Sequence, residues 1–295
     1  HVILFLGGTG SGKSTLIHYL AGSKMEKQIV DGNNHIAPVE VKNKALRNVV
    51  TSARAVSETR HITAVPIDLK EMRVFTEEDS VVLCDTPGFE DTSGPEVDVA
   101  NGIGIIRALK CCKSIKPVVL VSYTALGNRM SCVRGLARTL GQIISSIDDH
   151  LSAVEYVFTK FPKKEKQTIP ALVRETYFSI PKDETDKGYK SILADIARKT
   201  KKYVFAPHLL EDPPLDLLQE LTDIRSFIRH PEEVFQSFLT EKANHAVHLQ
   251  VEKHKASVLP AFKNCNFKFV QTKLDELVAL NAVLENKLIE KDYKE

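Results

Sequence analysis

Residues 2–15 constrain the fold more than any other stretch of this chain. Val2 to Leu6 form a short apolar run of the kind found in a buried central strand. The run leads directly into Gly7, Gly8, Thr9, Gly10, Ser11, Gly12, Lys13, Ser14 and Thr15, a G-x-x-x-x-G-K-S pattern. Leu16, Ile17, Tyr19 and Leu20 then fall at helical spacing, and Gly22 stands where a helix would stop. Strand, glycine loop and helix therefore come in the order that a phosphate cradle requires. Glycines let the backbone curl so that successive N–H groups converge on an anion, and the helix start adds its positive dipole end. In such a cradle Lys13 is expected to reach the β- and γ-phosphates and Ser14 to ligate Mg²⁺.

A second anchor follows downstream. Ser80 to Cys84 form another apolar strand, ending at Asp85-Thr86-Pro87-Gly88. This D-x-x-G places a carboxylate at the strand end, where it can hold Mg²⁺, with the Gly88 amide available to a γ-phosphate. Between the anchors, Ser57-Glu58-Thr59-Arg60 precedes an alternating stretch, Ile62 to Leu69, that reads as a strand pairing antiparallel with 80–84. Thr59 is the candidate hydroxyl to complete the Mg²⁺ shell, with Thr63 in reserve. Lys13 and Thr59 are thus the candidate catalytic groups, and Ser14, Thr59 and Asp85 the candidate metal ligands. Phe89 stands where a water-orienting glutamine is found in fast hydrolases, so turnover is expected to be slow or to depend on another residue, a partner or dimerisation.

These residues resemble the septin-like branch of the translation-factor-related GTPases, which includes septins, GIMAP proteins and the chloroplast-import Toc receptors. The resemblance rests on Gly7 to Thr15, Ser57 to Thr59 and Asp85 to Gly88. It implies a G domain, Mg²⁺ with GTP or GDP, slow hydrolysis and nucleotide-dependent self-association, a homodimer included. The guanine-reading T-K-x-D motif has only a partial counterpart in Thr159-Lys160-Phe161-Pro162. Lys160 can pack over a base, but Pro162 occupies the place of the aspartate that accepts from guanine. Glu165 is the nearest substitute, and ATP stays an alternative to GTP.

The remaining pattern predicts an α/β fold: a P-loop G domain with a mostly parallel, doubly wound sheet and one antiparallel strand, over residues 1–230. Helices are expected at 97–113, 130–147 and 189–202, strands at 117–122, 156–158 and 203–207, and a helix start at Asp212-Pro213-Pro214. The face of the helix at 130–147 is set by Val133, Leu136, Leu140, Ile143, Ile144 and Ile147. A helical extension occupies 231–295, with helices at 232–254 and 262–291. Phe267, Val270, Leu274, Leu277, Leu284 and Leu288 follow a three-four spacing there, which Asn281 interrupts. That helix is expected to pack on its own G domain or to continue into a further region, with a dimerising stub as the alternative.

Bulk properties exclude some classes. The formal charge of +2 and the lack of interleaved aromatics argue against a nucleic-acid binder. No apolar run reaches the roughly eighteen residues that cross a bilayer. Five cysteines without C-x-x-C spacing suit a reducing, cytoplasmic setting in which thiols act as small buried hydrophobes. The chain enters its first strand directly from His1, so it reads as part of a longer protein with other domains.

Overall fold

The computed structural model describes residues 1–52, 62–88, 94–127, 131–236, 239 and 241–284. The first half contains β1 (Val2–Leu6), α1 (Lys13–Leu20), β2 (Lys24–Val30), β3 (Asn33–Glu40), β4 (Thr63–Asp68), β5 (Ser80–Asp85), α2 (Pro95–Lys110) and β6 (Ser114–Ser122). Then come α3 (Tyr123–Gly127), α4 (Ser131–Ile143), α5 (Ile147–His150), β7 (Glu155–Thr159), α6 (Ile169–Phe178) and α7 (Lys187–Thr200). The chain continues through α8 (Leu215–Leu221), β8 (Ile228–Arg229), α9 (Pro231–Val234), α10 (Glu241–Lys263) and α11 (Phe267–Leu284).

The main sheet runs in the order β4-β5-β1-β6-β7. Strands β5, β1, β6 and β7 are parallel, and β4 joins antiparallel with Thr63 opposite Asp85. The two-residue β8 adds a second antiparallel edge beside the start of β6. Alternation along each strand sends side chains to opposite faces. Ile3 and Phe5 of β1 pack with Leu16, Ile17 and Leu20 of α1 and Leu217, Leu218 and Leu221 of α8. Leu4 and Leu6 pack on the other face with α2, α4 and α7. Both faces are covered, which makes this a mostly parallel, doubly wound α/β domain followed by C-terminal helices. The chain leaves β1 for β5 on one side and then β6 on the other, so the carboxyl end of β1 lies at the switch point where such sheets bind ligands.

Several elements differ from the sequence expectations. Residues 24–40 form a separate two-stranded hairpin, β2–β3. Its turn residues Asp31 (φ 51°) and Gly32 (φ 78°) both take the left-handed conformation of a type I′ turn. The helix expected over 130–147 ends at Ile143: Ser146 is left-handed (φ 47°), and Ile144 instead bridges Phe235. Helix α6 follows the basic run at 160–166. The strand expected at 203–207 reduces to one parallel bridge, Phe205 to Val157. The helix expected from residue 232 begins only at Glu241, after a single turn (α9) that His230 (φ 55°) sets off.

Helices α10 and α11 pair with each other, and α10 rests on α2. Val251, Leu277 and Leu284 are buried there with Val99 and Ile103 of α2. Phe267, expected on the inward seam, is largely exposed. No described helix is long and apolar enough to cross a membrane. Cys84 is buried, which pushes its thiol up to about 12, whereas Cys111 and Cys265 are exposed, against the expectation of buried thiols.

Candidate nucleotide site

The glycine loop wraps from the end of β1 into α1. The Ser11 amide donates to the Gly8 carbonyl at 3.1 Å, and Gly12 (φ 93°) caps the helix in a conformation that L side chains rarely adopt. The Lys13 ammonium donates back onto the loop, to the Gly7 carbonyl at 3.0 Å and the Gly8 carbonyl at 3.3 Å. Ser14 donates its hydroxyl to the Asp85 carboxylate at 2.8 Å, and Asp85 is fully buried. Beside it, the Thr86 hydroxyl donates to the Phe5 carbonyl at 2.6 Å and ties the end of β5 to β1. The two anchors therefore meet across the 71 residues that separate Ser14 from Asp85.

Gly88 lies against the loop itself. A Cβ at Gly88 would stand 2.7 Å from Thr9 Cα and 2.8 Å from Thr9 N, so only glycine fits that approach. The Thr9 and Ser11 hydroxyls are buried without a hydrogen-bond partner among the described residues. Thr159 donates its hydroxyl to the Ser11 carbonyl at 2.7 Å, and the Lys160 stem passes over Gly12. Burial lowers the proton affinity of the Lys160 ammonium.

These residues open on a cavity of about 930 Å³. Thr9, Gly10, Gly12, Lys13, Ser14, Thr15, Gly88, Thr159 and Lys160 line it, while Gly7, Gly8 and Ser11 shape the loop and Asp85 sits behind Ser14. Thr59 and Phe89 lie outside the described residues. Thr63, the reserve hydroxyl, is half-buried and faces Asp85 in the strand register. Pro162 is part of the wall, and Glu165 is not. The Glu165 carboxylate instead accepts from the Tyr123 hydroxyl at 2.6 Å.

No protein-family model matches this sequence, and no curated protein does. Among solved structures, one similar chain is a mutation variant of SsGBP, at 14% identity and a TM-score of 0.33, over 75% of this chain and 54% of that one. This chain thus spans about half the length of that neighbour. Another is from the signal recognition particle receptor SRb-GTP/SRX complex of Chaetomium thermophilum. Its identity is 15% and its TM-score 0.39, over 75% of this chain and 96% of that one.

The cavity also recruits residues that the motifs do not indicate: Lys27, Asn34, His35 and Ile36 of the hairpin, Thr51 and Ser52, Thr124, and the wall at 207–210. The Asp31-Gly32 pair was the sequence signal for the hairpin. The 207–210 wall is held by its neighbours. The His208 amide donates to the Asp212 carboxylate at 2.7 Å, Lys166 pairs with Asp212 at 3.3 Å, and Lys163 pairs with Glu211. Those pairs engage part of the basic run at 160–166 within the protein. Among the described residues that line the cavity there are three lysines (Lys13, Lys27, Lys160) and no carboxylate, a surface suited to a polyanion.

Proposed function

We propose that this chain binds Mg²⁺ with a guanine nucleotide and hydrolyses GTP slowly, as a conformational or assembly switch within a larger protein. One observation carries the reading: the Lys13 ammonium, the Ser14 hydroxyl and the buried Asp85 carboxylate converge at the glycine loop. A hard cation with oxygen ligands suits Ser14 and Asp85, and the orphaned Thr9 and Ser11 hydroxyls suit phosphate oxygens. Ser14 and Asp85 would hold Mg²⁺, with Thr59 the proposed third ligand. The ion would neutralise charge on the β- and γ-phosphates.

On this reading Lys13 exchanges the Gly7 and Gly8 carbonyls for phosphate oxygens. Amides from Gly8 to Thr15 donate to the phosphates, and Gly88 senses the γ-phosphate beside Thr9. Thr159 fixes the base-side strand to the loop, and the Lys160 stem covers the base. We place the chain in the septin, GIMAP and Toc-like branch, with residues 1–230 as the G domain and 231–295 as the helical extension. A cytoplasmic setting and nucleotide-dependent homodimerisation belong to the same proposal.

The carboxylate-free lining favours a second reading. With Pro162 in the wall, no described lining residue is an aspartate or glutamate that accepts from guanine N1 and N2. Nor is any a glutamine that orients water. Both points favour a site that holds purine nucleotide structurally, with ATP accepted and turnover negligible. Calorimetry with GTP, GDP and ATP in the presence of Mg²⁺, on wild type and Lys13→Ala, separates the readings. The first expects a tenfold or greater guanine preference, about 1.4 kcal/mol, lost in the variant. Equal or tighter ATP binding overturns the guanine assignment, and no binding to any of the three overturns both readings.

A further inference from the structure

The β2–β3 hairpin belongs to neither the main sheet nor the motifs, yet it forms one wall of the cavity. Its base is anchored to α1. Helix α1 ends with the Gly22 amide donating to the Tyr19 carbonyl at 3.1 Å and the Ser23 amide to the His18 carbonyl at 3.0 Å, which fixes the exit direction of the chain. Met25 and Ala37 are then buried, Ile36 packs with the α1-side core, and the type I′ turn sets the register Lys27 to Ile36 and Gln28 to His35.

The polar groups of the hairpin fall into two sets. Charges away from the cavity pair with one another: Lys24 with Glu26 at 3.0 Å, and Lys42 just beyond β3 with Glu40 at 3.9 Å. The cavity-lining Lys27, Asn34 and His35 make no side-chain hydrogen bond or ion pair among the described residues. His35 is half-buried, and it lies near enough to Lys160 that burial and then the ammonium charge both disfavour its protonation. A neutral imidazole offers one donor and one acceptor, and both of its ring nitrogens are unengaged. A half-buried imidazole left in this way in the cavity wall suits a polar ligand, whereas the Lys27 and Asn34 side chains are exposed to water. Pro162, also in the lining, stands where the T-K-x-D pattern has its base-reading aspartate.

We infer that the hairpin supplies nucleoside recognition that the Thr159-Lys160-Phe161-Pro162 run lacks, with His35 as its hydrogen-bonding contact to the base or sugar. This inference rests on the nucleotide-binding reading of the site. The glycine loop holds the phosphates, and His35 distinguishes a nucleoside triphosphate from a bare polyphosphate.

The test is the affinity of the whole chain for GTP and for inorganic tripolyphosphate in Mg²⁺, in wild type, H35A, H35F and I29A. Ile29 is 75% exposed and outside the cavity lining, so I29A controls for a general disturbance of the hairpin. H35F keeps the ring and loses both nitrogens. Expected is a loss of about tenfold or more for GTP in H35A and H35F. Tripolyphosphate binding should stay within about twofold of wild type, and I29A should match wild type on both ligands. GTP affinity within twofold of wild type in both His35 variants overturns the inference and leaves the nucleotide site standing. Equal losses for GTP and tripolyphosphate overturn it as well, since the effect is then not one of nucleoside recognition. A wild type that binds neither ligand overturns the site itself, and the inference with it.

Discussion

His18 occupies the buried side of α1, where its Nε2 meets the Val49 carbonyl at 2.8 Å and its Nδ1 meets the Ser23 hydroxyl at 3.2 Å. With a carbonyl on one nitrogen and a hydroxyl on the other, the neutral tautomer protonated at Nε2 satisfies both contacts. Burial pushes its proton affinity below the usual 6.5; the bond to Val49 and the Asp85 charge oppose this more weakly. The unfolded chain therefore binds more protons than the folded one once the pH drops below that value. Stability is fully present above about pH 6.5 and declines as the solution is acidified. Urea unfolding from pH 7.5 to 5 should show this decline, and His18→Gln should flatten it, since an amide does not titrate there. An unchanged slope would assign the acid sensitivity to other groups, His35 among them. The contact has a functional side too, because the Val49 carbonyl fixes the segment carrying Thr51 and Ser52 into the cavity wall.

At the level of elements, the hairpin turn is the most exposed to substitution. Gly32 at φ 78° has open space around a would-be Cβ, so Gly32→Ala meets backbone strain alone. The left-handed conformation costs a residue with a Cβ roughly 1 kcal/mol. The variant should lower the unfolding midpoint modestly and raise amide exchange in β2 and β3 more than in β1 or β6; equal protection in the hairpin would contradict that placement of strain. The same hairpin marks where sequence reading stopped. Strands β1, β5, β6 and β7 announce themselves as apolar runs because both of their faces are covered. Lys24–Val30 and Asn33–Glu40 have most residues exposed, so only Asp31-Gly32 betrays them. Residues 203–207 fail as a strand because β7 takes a single bridge from Phe205. The glycine loop, Asp85 and Gly88 were readable from local pattern. Lys27, His35 and Thr51 belong to the site only through tertiary packing, which no local spacing encodes.

For the molecule as a whole, the arrangement of α2 matters most. It follows directly from the segment that starts at Gly88, and its Val99 and Ile103 support α10 and α11. A shift of α2 on ligand binding would be passed to the helices that pack on it. Leu277→Ala should cost about 2–5 kcal/mol of local packing, and hydrogen exchange should register it in α10 and α11. Addition of Mg²⁺ and GTP should alter exchange in those helices in wild type, and Leu277→Ala should weaken that response. A response confined to α1 and the glycine loop would show that the helices are mechanically isolated. The bond from the Thr159 hydroxyl to the Ser11 carbonyl spans the molecule differently. It ties the strand that ends under Lys160 to the loop that turns around Gly10, so a change in that loop on ligand binding would be felt at the Lys160 end of the cavity.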